Sequence, residues 1–140
     1  MKTSVIILVA LLLLLCGACT PDTPTPDYSA EAKSIIADTE ALATRAQQQA
    51  ILAEQHLARL KTLVSTSTTD EVRRQTYIDI MDDLIRRRER LTEWQERWRQ
   101  RPDTAYIDAD KLQYYRTLSD SLSSIYDALE RDFERLQLPQ

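Results

Sequence analysis

Apolar residues are arranged in two different ways along this chain. From Val5 to Ala18 they form an almost unbroken run, VIILVALLLLLCGA; from Ser29 onward they recur every three or four residues among charged and polar neighbours. The second pattern is that of amphipathic helices, and it repeats three times. The first periodic segment runs from about Ser29 to Val64. There Ile36, Ala43, Ala50, Leu57 and Val64 make one line of sevens, Thr39, Ala46, Ala53 and Leu60 the line three residues on, and Ile35, Leu42 and Leu63 flank them. Ser29 is the expected N-cap. The seam has alanine in its middle, which lets a neighbouring helix approach closely but buries less area than leucine would. Gln47, Gln48 and Gln49 in that zone read as solvated helix formers.

The STSTTD stretch from Ser65 to Asp70 interrupts the period. Thr68 with Glu71 three residues on fits a capping box, so a second helix is expected from near Thr69 until Pro102 stops it. Its seam is Tyr77, Leu84, Leu91 and Trp98, joined by Ile80 and Trp94 and bordered by Met81 and Ile85. Arg87 interrupts the Ile80 and Trp94 line, and its stem is expected to lie along the core edge with the guanidinium in water. Asp103 or Asp108 can cap a third helix from about Ile107 to Gln137, whose apolar positions are Tyr115, Leu122, Leu129 and Leu136, Leu118 and Ile125, and Leu112, Tyr126 and Phe133. Three long helices with short connections predict an all-α fold, an elongated antiparallel up-down-up three-helix bundle over residues 29–140. An oligomeric coiled coil or a helical hairpin is the alternative, because an alanine-lined seam could also face a second copy and give a homo-oligomer.

The N-terminal run has about fourteen residues where roughly 20 are needed to span the hydrocarbon layer, so it is expected to be removed as a signal peptide covering residues 1–18. With Lys2 in front, Gly17 and Ala18 at its end and Cys19 after them, it resembles a bacterial lipoprotein precursor, although Cys16 stands where leucine is usual. The resemblance implies that Cys19 becomes the mature first residue and carries acyl chains that hold the protein to a lipid bilayer. More than one chain matters, since each buried CH₂ contributes only about 0.8 kcal/mol. The resemblance also places the protein in the cell envelope, at the outer membrane facing the periplasm if the cell is diderm; Thr20 is not the aspartate that retains some lipoproteins at an inner membrane. Pro21, Pro24 and Pro26 alternate with small polar residues, so residues 19–28 read as an extended tether.

Composition narrows the function. Gly17 is the only glycine, in the signal, so phosphate-cradling loops and nucleophile elbows lack the residue they generally use. Cys16 and Cys19 are the only cysteines, which leaves the mature domain neither a disulfide nor a thiolate cluster. A net charge of −4 gives no reason to expect nucleic acid as a partner. His56, the only histidine, falls beside the first seam as a tolerated flank residue, and Asp79, Asp82 and Asp83 share a helical face without the histidine or loop spacing that would complete a metal site. No catalytic residue, cofactor or metal is expected.

The remaining signal is charge. The later half of the second helix carries Arg86, Arg87, Arg88, Arg90, Arg97, Arg99 and Arg101, the earlier half Asp70, Glu71, Asp79, Asp82 and Asp83. An up-down-up topology turns this into a basic, aromatic base near the membrane and an acidic tip. The structural explanation is dipole complementarity with i,i+4 pairs such as Asp82 with Arg86, Asp83 with Arg87 and Glu93 with Arg97, helped by Asp108, Asp110 and Asp120. The functional one makes Trp94, Arg97, Trp98, Arg99, Arg101 and Tyr106 a contact for anionic headgroups or an envelope protein. Trp94, Trp98, Tyr114 and Tyr115 otherwise read as packing, with Tyr114 the exposed member. The expected role is non-enzymatic: an accessory, pilot or assembly factor of an envelope or secretion machine, or alternatively a structural spacer. A murein-type wall linkage, which uses a C-terminal lysine, is disfavoured by Leu138, Pro139 and Gln140.

Overall fold

The computed structural model describes residues 26–66 and 70–137; the signal run, Cys19, the tether up to Thr25, Thr68 and residues 138–140 lie outside the described residues. Three helices make up the fold: α1 (Ser29–Thr66), α2 (Glu71–Arg99) and α3 (Ala109–Gln137), with no strand among the described residues. Each packs against the other two. At 1.5 Å per residue, the 38 residues of α1 span about 57 Å and the 29 of α2 and of α3 about 44 Å.

Side-chain pairings give the topology. Between α1 and α3 the partners advance together along both helices: Glu31 with Arg116, Arg45 over the Tyr126 ring, His56 beside Phe133. Between α1 and the chain running back through α2 they advance in opposite senses: Glu40 with Arg101, Gln47 with Gln95, Glu54 with Arg88. The chain therefore runs up, down and up, as the three periodic segments and their short connections require.

The alanine seam is buried. Thr39, Ala46, Ala53 and Leu60 are all buried, joined by Ala32, Ala50 and Leu57, so this line is the centre of the contact. Ile36 and Ala43, on the other predicted line, are only half-buried. Thr39 has no interhelical hydrogen-bond partner; its hydroxyl donates to the Ile35 carbonyl one turn back at 2.6 Å, which satisfies the one polar group on that line. The core continues through Ile80, Leu84, Leu91, Trp94 and Trp98 of α2 and Leu112, Tyr115, Leu118, Leu122, Ile125 and Leu129 of α3.

The helix starts depart from expectation in detail. Ser29 is not the cap of α1: its N–H and its hydroxyl both donate to the Asp27 carboxylate, and the first helical bond runs from the Ala32 N–H to the Tyr28 carbonyl. Asp27 is a negative group at the positive end of the helix, and its carboxyl is held below the ordinary value first by the Ser29 hydroxyl and then by the Ser29 amide. α2 begins two residues later than expected, because Asp70 caps it by accepting from the Arg73 N–H at 3.0 Å. For α3 the choice falls on Asp108, which accepts from the Lys111 N–H at 2.8 Å; Asp103 instead accepts from the Ala105 N–H within the connecting loop. That loop is tied to the start of α1, since the Tyr28 N–H donates to the Ile107 carbonyl at 3.0 Å.

Candidate functional site

The end of the bundle that holds the α2–α3 loop contains the expected arginine and aromatic residues, and packing divides them. Trp94 is 1% exposed and its indole N–H donates to the Leu118 carbonyl at 2.8 Å. Trp98 stacks on it, centroids 5.3 Å apart and planes within 17°, and the Tyr115 ring meets Trp98 edge-on at 6.3 Å. The Tyr115 hydroxyl donates to the Pro102 carbonyl at 2.5 Å, and burial raises its pKa above the usual phenol value. Arg101 lies over Trp98 at 4.5 Å, donates to the Trp98 carbonyl at 3.0 Å and pairs with Glu40 at 3.3 Å. These contacts cap the end of α2 and hold the turn.

Trp94 and Trp98 are thus core residues and offer no surface to a headgroup or partner, a correction to the six-residue contact set. Arg101 is committed to the turn and Arg99 to Glu96 at 2.8 Å. Arg97 is exposed, as is Tyr106 at 42%, and Tyr114 is exposed as expected. The predicted basic base is also corrected. The starts of α1 and α3 bring Asp27, Glu31, Asp103, Asp108 and Asp110 to the same end, and α1 glutamates neutralise its arginines: Glu40 holds Arg101 and Glu31 holds Arg116. The predicted i,i+4 pairs are absent among the described residues. Ion pairs within α2 are i,i+3, Asp83 with Arg86 and Glu96 with Arg99 among them, and Asp108, Asp110 and Asp120 do not take up the remainder.

Towards the other end, α2 and α3 share a buried ionic cluster. Arg87 does not send its guanidinium freely into water: its Nε lies 3.4 Å from Asp132 Oδ2, and Asp132 is 4% exposed. Neither of those two atoms has a hydrogen bond. Arg135 bridges the cluster, 3.3 Å from Asp132 and 2.7 Å from Asp83, which also accepts from Arg86 at 2.7 Å. Hydrogen bonds from Arg86 and then Arg135 hold the Asp83 carboxyl below the ordinary aspartate value. Asp132 was expected only as part of an acidic tip. The missed signal was its place seven residues after Ile125 on the Leu118 line, which mirrors Arg87 on the Ile80 line.

Along the α1–α2 seam the alanine middle leaves an opening. A shallow cleft of about 450 Å³ on α2 is lined by Ile85, Arg88, Glu89, Thr92 and Glu93. It shares Arg88 and Thr92 with a recess of about 140 Å³ that reaches Ala50, Ile51 and Leu91 between the helices. Ile51 is 51% exposed there and Ile85 stands open beside it. His56 is half-buried against Phe133, centroids 5.4 Å apart. Among the described residues no group of three or more His, Cys, Asp or Glu side chains is placed to hold a metal ion, and no helix is long and apolar enough to cross a membrane.

Comparison with protein-family models, curated proteins and solved structures finds no match to this chain.

Proposed function

We propose that the protein is a lipid-anchored component of a bacterial cell envelope that works by protein contact, as an accessory or assembly factor of a larger envelope machine. The observation that carries this reading is the sequence LLLLLCGAC ending at Cys19, followed directly by a proline-rich tether. The bundle suits such a role. Its α1 starts at the end that holds the α2–α3 loop, so a tether leading into Asp27 meets the body there and the opposite end projects away from the lipid. The interior is filled by apolar side chains and by one ion cluster, and the chemistry it presents to its surroundings is a set of helix faces and seams. Such surfaces recognise other helices.

Metabolic labelling with a palmitate analogue, followed by membrane fractionation, tests the proposal. The natural chain is expected to take up label and sediment with membranes, and Cys19→Ala is expected to do neither. A natural chain that stays unlabelled, or a mature product that retains Met1, would refute it.

A further inference from the structure

The outer surface of α2 is charged oppositely on its two sides. Its cations stand towards α3: Arg86 shares Asp83 with Arg135, the Arg97 carbonyl accepts from the Tyr114 hydroxyl, and Arg90 falls on the same line four residues after Arg86. Its acids stand towards α1, where Glu89 and Glu93 edge the cleft that opens over Ala50. The ion pairs of α2 engage Asp70, Glu71, Asp83, Asp132, Glu54 and Glu96, so among the described residues Glu89 and Glu93 have no cation within salt-bridge distance.

We infer that the α1–α2 cleft receives one amphipathic helix of a protein partner that carries Lys or Arg beside its apolar stripe. The inference rests on the reading of the chain as a contact protein and specifies the contact. Two parallel ridges with a gap between them accept the side chains of a third helix, anchored at i, i+3 or i+4. Ile51 and Ile85 supply the apolar edges, and Ala50 supplies the depth, because a methyl side chain leaves room for an incoming leucine or isoleucine. Two bridges cross the seam, Arg88 to Glu54 at 2.6 Å and Gln95 to Gln47 at 2.7 Å. All four side chains reach solvent, so turning them aside costs little. The acidic edge then selects the partner's sign. It attracts a cationic helix, and it repels anionic headgroups and acidic helices.

A photocrosslinking residue placed at position 51, 85 or 120 of the full-length chain in its own cells tests this, with the captured segment sequenced by mass spectrometry. Asp120 is exposed on α3 and serves as the control. Positions 51 and 85 are expected to capture the same segment, an amphipathic helix with basic residues flanking its apolar positions, while position 120 does not. The Glu89→Lys/Glu93→Lys chain is expected to lower that yield about tenfold, the loss that follows from turning two favourable surface pairs into repulsions. Capture of a second copy of this chain, of lipid or of an acidic segment would overturn the inference, as would equal yields at all three positions, no capture at all, or indifference to the charge reversal. Membrane fractionation of the same samples separates the two readings: a chain that sediments with membranes yet captures nothing at 51 and 85 loses the cleft proposal and keeps the anchor.

Discussion

Removing the carboxylate of Asp132 is the most searching perturbation of this fold, because it acts on one buried atom pair and leaves the shape of the bundle alone. Asp132→Ala withdraws the counter-charge from Arg87, whose Nε is buried beside it and has no hydrogen bond of its own. Breaking a buried ion pair from one side costs about 3 to 5 kcal/mol. Arg87 retains 24% exposure and Arg135 keeps Asp83, so some charge can reach water or an alternative partner, and a value near the lower end, about 3 kcal/mol, is expected. A domain of this size has about 5 to 15 kcal/mol in all, so the loss is large and lowers Tm by about 12 to 20 °C. Arg87→Met with Asp132→Leu removes both charges at similar volume and is expected to recover the loss or exceed the natural stability, since neither ion then needs desolvating. Urea unfolding followed by far-ultraviolet circular dichroism measures all three chains. A change of under about 0.5 kcal/mol for Asp132→Ala, the ordinary surface range, or a double variant no better than the single one, would refute the claim that this pair is buried and coupled.

Three further outcomes follow from the packing. Ala53→Leu, at a position with no exposure, forces α1 away from its neighbours and is expected to destabilise by about 1 to 3 kcal/mol in the same urea assay, whereas Ala58→Leu on the exposed side changes little. Tyr115→Phe removes the hydrogen bond to Pro102 and is expected to cost about 1 kcal/mol. Because the folded-state value of Tyr115 is raised, its contribution is complete below the unfolded phenol value of 10.0 and is lost as pH rises from there through the raised value; the phenylalanine chain should show a flatter alkaline stability profile. Asp83 has the opposite sign. Its folded value is depressed, so its contribution is complete above the unfolded value of 3.8 and is lost as pH falls through the lower folded one, and Asp83→Asn should flatten the stability profile on the acid side.

The number, length and order of the helices were legible in the sequence because a period of 3.6 residues, a proline and capping aspartates act locally. The line through Thr39, Ala46, Ala53 and Leu60 named the face of α1 that is buried, and Tyr114 was recognisable as the exposed tyrosine because it lies off the seam. Charge was different. A run of arginines in one helix looks like a basic surface until the neighbouring helices are brought alongside. Glu31, Glu40 and Glu54 then come within reach of Arg116, Arg101 and Arg88, from 34 to 85 positions away in the chain. Trp94, Trp98 and Arg101 likewise resemble a contact patch when read along α2, and only packing against Leu118, Tyr115 and Pro102 turns them inward.

What the amino-acid order determined alone is therefore whatever depends on neighbours within a turn or two: three amphipathic helices, their ends, and the N-terminal pattern with Cys19. The tertiary structure decided which charges cancel, where Arg87 meets Asp132, and that Glu89 and Glu93 edge an open cleft. Coulomb interactions and shape depend on distances across the bundle, and folding sets those distances between residues that the sequence keeps far apart.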